Sequence, residues 1–205
     1  MSAECCSILL VLLLSWQVCH RCTVTGQPET LTILTKDANY VPIEQIDLTG
    51  KLGLTLRVKA CTSAYVALSA IFGETNSRMY EILISGYSNT KSVIRTCKRG
   101  CPQAESPTEG LLNCNEFVTL WLGWTKGNIA LGKGSNFGIN PLVEWDDNSP
   151  DYITSVAVST LDGVNGTWQF TPDDSCSLPL GRAVKREDIA YSSSSSGLPV
   201  FNKNS

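Results

Sequence analysis

Four carboxylates crowd the segment "VEWDDNSPDY": Glu144, Asp146, Asp147 and Asp151. Two facing carboxylates can share the acid–base work of glycoside hydrolysis, and several can ligate calcium through oxygen. The spacing matches no calcium loop. An acidic turn containing Asn and Pro accounts for the same residues. A glycine-rich run, "ALGKGSNFG" from Ala130 to Gly138, follows a strand-like segment. A dinucleotide cradle needs a helix after the glycines, and a P-loop needs Gly-Lys followed by Ser or Thr. No helical pattern follows here, and Gly134 is followed by Ser135, so the run reads as a glycine-rich hairpin or loop.

Histidine narrows the chemistry further. The only one is His20, inside or beside an apolar N-terminal run, "SILLVLLLSWQV". That run is too short to span a bilayer and suits a signal peptide over residues 1–26, with cleavage after Gly26. Its leading segment is atypical, with Glu4 and no Lys or Arg. An uncleaved membrane anchor is the rival reading. A chain cut after Gly26 holds no histidine, which excludes Ser-His-Asp and Cys-His catalysis and His-based zinc sites. No catalytic set, metal site or cofactor is therefore expected.

The same cut removes Cys5, Cys6, Cys19 and Cys22, leaving Cys61, Cys97, Cys101, Cys114 and Cys176. Five cysteines imply two disulfides and one odd thiol, which offers a disulfide-linked dimer; cleavage before Cys22 leaves six. Connectivity does not follow from sequence. Cys101 with Cys114 is the pair favoured here, because it closes a Pro- and Gly-containing loop, worth about 3 kcal/mol by the entropic account.

Binding, rather than chemistry, has its own candidates. Trp121 and Trp124 differ in parity on one strand and point to opposite faces, so one can serve as a flat platform for sugar or lipid. Packing beneath a loop is the alternative. Lys91 and Arg95 are candidate ligand contacts on a neighbouring hairpin. Asn165-Gly166-Thr167 is a glycosylation sequon.

The elements that position these residues are strands. In "KLGLTLRVKA", Leu52, Leu54, Leu56 and Val58 share one face, and similar alternation recurs to "GTWQF". Many short strands separated by Gly, Pro, Asn and Asp predict an antiparallel all-β sandwich of about ten strands over residues 28–172. Asn165-Gly166 and Lys126-Gly127-Asn128 are predicted hairpin tips. In "YEILISGYSNTKSVIR", a loop from Gly86 to Thr90 sets Ser85 opposite Lys91, Leu83 opposite Val93 and Glu81 opposite Arg95. Glu81 and Arg95 then form a cross-strand pair. Residues 173–205, with five consecutive serines, read as a disordered or loosely attached tail.

"AYVALSA", "MYEILISGYSNTKSVIR" (Met79 to Arg95), "FVTLWLGWTKGNIALGKG" and Asn165 to Phe170 resemble, in order and spacing, the farnesoic acid O-methyltransferase-like domain. The resemblance spans residues 29–171. It implies a jelly-roll-like sandwich of the kind found in secreted and multidomain extracellular animal proteins. It hands over no catalytic residues.

Hydrophobic residues make up 42% and charged residues 17%, enough for a core. A net charge of −3 argues against nucleic-acid binding. The expectation is a secreted, non-enzymatic module binding an extracellular carbohydrate or protein. The alternatives are an O-methyltransferase using S-adenosylmethionine on farnesoic acid, and a matrix component linked through the odd cysteine.

Overall fold

Leu54, Leu56 and Val58 recur at every second position of Lys51–Ala60, and all three are buried. Successive strand side chains point to opposite faces, so this pattern lays an apolar stripe toward a facing sheet. The computed structural model describes residues 29–73, 79–171 and 175–177. Within them the strands are β1 (Leu31–Thr35), β2 (Val41–Pro42), β3 (Lys51–Ala60), β4 (Ala64–Ser69), β5 (Met79–Ser85) and β6 (Lys91–Cys97). They continue as β7 (Gly100–Pro107), β8 (Val118–Thr125), β9 (Asn128–Lys133), β10 (Pro141–Asp146), β11 (Ser155–Thr160), β12 (Gly166–Phe170) and β13 (Ser175–Ser177).

One antiparallel sheet runs β1-β12-β3-β8-β9-β10, with β13 paired to the start of β3. The other runs β2-β11-β4-β5-β6-β7. They pack face to face as a jelly-roll-like β-sandwich around Trp168, Phe170, Leu56, Ile82, Ile94 and Leu120, all buried. Interleaved inner faces of this kind are the usual core of a sandwich.

The strands outnumber the ten expected for physical reasons. β7, "GCPQAESP", is polar, carries two prolines and is largely exposed, because it is an edge strand with one free side. β13 lies where a loose tail was expected. Residues 1–28 and 178–205, which hold the expected signal peptide and most of that tail, lie outside the described residues.

One predicted turn has the form its residues require. Lys126 (φ 54°) and Gly127 (φ 85°) join Thr125 to Asn128 in a two-residue hairpin between β8 and β9. The Asn165-Gly166 hairpin is corrected: β11 and β12 belong to different sheets, so this segment crosses the sandwich. Gly166 is there for closeness. A Cβ on it would stand 2.6 Å from Thr35 Oγ1 and 2.7 Å from a Thr160 methyl group. Leu52 is also corrected. The β3–β8 pairing stops at Gly53, and Leu52 turns to line an outer groove beside Trp121.

Trp121 lies over Gly132, where a Cβ would run into the indole. Overpacking of this kind costs about 1–3 kcal/mol. Gly132→Ala is therefore expected to lower the melting temperature by several degrees, at about 2–4 °C per kcal/mol for a chain of this size. Thermal unfolding followed by tryptophan fluorescence checks it; an unchanged midpoint contradicts the packing.

Candidate functional site

Glu81 sits mid-strand on β5, on the face of the six-stranded sheet that points away from the core, yet it has no exposed surface. A carboxylate taken out of water needs partners. Glu81 Oε1 accepts a hydrogen bond from the Tyr40 hydroxyl at 2.6 Å. Oε2 accepts one from Arg95 at 2.8 Å and one from the backbone N–H of Arg99, also at 2.8 Å. Arg95 stands directly opposite on β6, and Leu83 opposes Val93. Nearer the loop the pairing slips, so Gly86 rather than Ser85 bridges to Lys91.

These contacts set the electrostatics. Burial pushes the Tyr40 hydroxyl well above the usual phenol range, and the neighbouring Glu81 charge pushes it further. Burial raises Tyr65 as well, against the pull of Arg99 and Arg95. For Arg95, burial works against the charge, but the bond to Glu81 and its charge outweigh burial and hold the guanidinium protonated.

A groove of about 440 Å³ opens beside this cluster. Tyr65, Leu83 and Arg95 form its floor, and Thr62, Ser63, Tyr87 and Ser88 stand along one side. Arg99 closes the other side, its guanidinium 4.9 Å from the centre of the Tyr65 ring. Tyr87 is 56% exposed, with the Lys91 ammonium 4.4 Å from its ring centre.

Each wall is held by an intrachain disulfide. Cys97–Cys101 closes the β6–β7 turn that carries Lys98 and Arg99. Cys61–Cys114 ties the β3–β4 turn to the segment after β7, beside the loop that carries Tyr87. That loop is a left-handed turn: Tyr87, Ser88 and Asn89 have φ of 51°, 62° and 65°. Thr62 Oγ1 accepts from the Asn89 N–H, and the Asn89 amide exchanges two bonds with the Leu112 backbone. The favoured Cys101–Cys114 pair is thus corrected. With β7 a strand, Cys101 returns beside Cys97, while Cys114 lies at the opposite end of the sheet. Cys176 lies on β13, its backbone paired with Gly53.

The other candidates fall elsewhere. Trp124 is a core residue, its Nε1 donating to the Lys51 carbonyl. Trp121 is on the opposite face as parity requires, but it packs against Phe137 and donates to the Ile139 carbonyl. Neither ring is a free platform, because loops and glycines cover them. Lys91 pairs with Glu105 at 2.9 Å and lies outside the groove lining. Asn165 is exposed on the sheet-to-sheet crossover. The acidic segment is spread out: Asp147 accepts from the Tyr80 hydroxyl, Asp146 accepts from Asn128, and Glu144 is exposed on β10. Among the described residues no three His, Cys, Asp or Glu side chains cluster to hold a metal ion, and no helix is long and apolar enough to cross a membrane. Tyr65, Tyr87 and Arg99 were missed in the sequence. "CKRGC", two cations inside a close cysteine pair, was the signal for Arg99.

The farnesoic acid O-methyl transferase family matches residues 35–173. The chain belongs to this family of all-β domains. "Uncharacterized protein 5" of Haliotis asinina is 26% identical over 141 residues, covering 67% of this chain and 81% of that protein. Among solved structures, galectin LEC-6 of Caenorhabditis elegans is 12% identical with a TM-score of 0.43, covering 68% of this chain and 94% of that one. The exoplasmic/lumenal domain of VIP36, bound to Ca2+ and Man3GlcNAc, is 10% identical with a TM-score of 0.45, over 78% and 87% of the two chains. At these identities and scores no ligand carries over.

Removing Glu81 leaves the Arg95 charge buried and unpaired. Glu81→Ala is expected to cost about 3–5 kcal/mol in urea unfolding. Tyr40→Phe, which removes one hydrogen bond to that carboxylate, costs about 1–3 kcal/mol. In the folded state Tyr40 and Tyr65 titrate above the unfolded value near 10. Their contribution is therefore complete below that pH and is lost as pH rises above it, because the unfolded chain releases the proton first. Urea midpoints on the alkaline side should fall in the wild type and fall less steeply in Tyr40→Phe.

Proposed function

We propose that the chain is an extracellular, non-catalytic binding module that takes a carbohydrate into the groove on the outer face of its six-stranded sheet. The carrying observation is the composition of that groove. Tyr87 presents a ring held from one side by Lys91, and Arg95, Arg99, Thr62, Ser63 and Ser88 place polar groups around it. An aromatic face covers the C–H face of a sugar ring at low entropic cost, and a few placed polar groups fix its orientation.

Glu81 supports binding over chemistry. Both of its oxygens are engaged, and it faces a guanidinium. Such a carboxylate has no oxygen left to exchange a proton with a bound substrate. The intrachain disulfides support an oxidising compartment. The family description favours methyl transfer as the second reading. The usual platform for the methyl donor is a doubly wound α/β sheet, and this domain is an antiparallel sandwich.

A glycan array probed with the whole secreted chain tests the reading, with Tyr87→Ala as the matched variant. Binding to a defined glycan set is expected, and the variant, whose exposed ring carries no core packing, should bind about tenfold more weakly with an unchanged melting temperature. An empty array overturns the reading. So does methyl transfer from S-adenosylmethionine to farnesoate, which establishes the enzyme instead.

A further inference from the structure

We infer that the groove selects acidic saccharides, taking a ring-borne carboxylate or sulfate on the guanidinium of Arg99 with Arg95 beside it. This deepens the carbohydrate reading and rests on it. The groove is weighted toward hydrogen-bond donors. A neutral sugar hydroxyl both donates and accepts, so a site built for it offers both kinds of group. Here the one charged acceptor, Glu81, is spent, and the acceptors that remain are hydroxyls of Ser63, Ser88, Tyr65 and Tyr87, each of which also donates. Glu81 Oε1 is taken by Tyr40, and Oε2 by Arg95 and the Arg99 backbone. The Thr62 hydroxyl accepts from Asn89 N–H and donates to the Ser85 carbonyl, and Ser63 Oγ lies 3.2 Å from it.

The donors are not spent. A guanidinium has five N–H groups and no acceptor. Arg95 directs NH1 at Glu81. Among the described residues Arg99 forms no ion pair; its side chain rests on the Tyr65 ring while its backbone is anchored on Glu81. Lys98, in the same disulfide-closed turn, adds a third cation 5.7 Å from the Tyr40 ring centre. Arg95 offsets the Glu81 charge, and Arg99 and Lys98 remain as two cations with no ion pair among the described residues, on a chain whose net charge is −3. An acceptor-only anion matches a donor-rich site, and the planar fork of arginine fits carboxylate and sulfate.

Matched probes test this with the whole chain in calorimetry: oligogalacturonate against its methyl ester, and a sulfated chondroitin oligosaccharide against its desulfated form. The acidic member of at least one pair should bind about tenfold or more tightly at low salt, and the gap should narrow as exposed charges are screened. Arg99→Gln keeps the backbone N–H and removes an exposed side chain, so it should fold normally and close the gap. Arg99→Lys should restore part of it. Equal binding of acidic and neutral members, or a gap unchanged in Arg99→Gln, overturns the inference while the carbohydrate reading stands. An empty glycan array removes both. Farnesoate carries the same carboxylate on an apolar chain; binding of farnesoate with no acidic glycan overturns the saccharide assignment.

Discussion

A carboxylate buried on the outer face of a sheet is the constraint around which this domain is arranged. Isolated, Glu81 would cost several kcal/mol to desolvate. Its three hydrogen bonds come from three separate places in the chain: Tyr40 before β2, Arg95 on β6 and the Arg99 backbone in the β6–β7 turn. Satisfying one charge therefore fixes the side of the groove that carries Arg99. It also explains how Tyr65, Leu83 and Val93, apolar residues on an outward face, remain buried: Tyr40 packs against them.

The opposite wall is held differently. Left-handed backbone costs about 1–2 kcal/mol for each residue other than glycine. Tyr87, Ser88 and Asn89 accept that cost in succession. The bonds from Thr62, Leu112 and Gly110, with the Cys61–Cys114 crosslink, over-determine the turn. Its sequence separation of 53 is worth about 4 kcal/mol in unfolded-chain entropy, and the separation of 4 for Cys97–Cys101 about 2 kcal/mol. Strained backbone held by its surroundings is common where a side chain must be presented, and here it presents Tyr87.

Much of the fold was legible in the sequence because period-2 burial is a local property. Leu54, Leu56 and Val58 announce their face, and the alternation of Tyr80, Ile82 and Ile84 against Glu81 and Leu83 places the two layers of β5. The groove was less legible, since long-range placement made it. Nothing local in "VNGTW" says that β11 and β12 lie in different sheets, or that Gly166 is required by Thr35 and Thr160. Nothing local in "GCPQAESP" says that a polar, proline-bearing run pairs along β6. Missing that strand misplaced Cys101 and concealed the turn that carries Arg99. The tryptophans misled for a related reason: parity separates their faces, but it does not show that Phe137 covers one of them.

Groove, anchor and walls converge on one surface, and mapping a bound glycan onto the backbone tests that convergence most directly. The measurement is an amide-resolved NMR titration of the labelled chain with an acidic oligosaccharide that it binds. The account predicts shifts concentrated at Tyr65, Tyr87, Ser88 and Arg99, with the amides of Trp121, Gly132 and Phe137 unmoved. Shifts centred on Trp121 and Phe137 instead, on the outer face of the seven-stranded sheet, would contradict it.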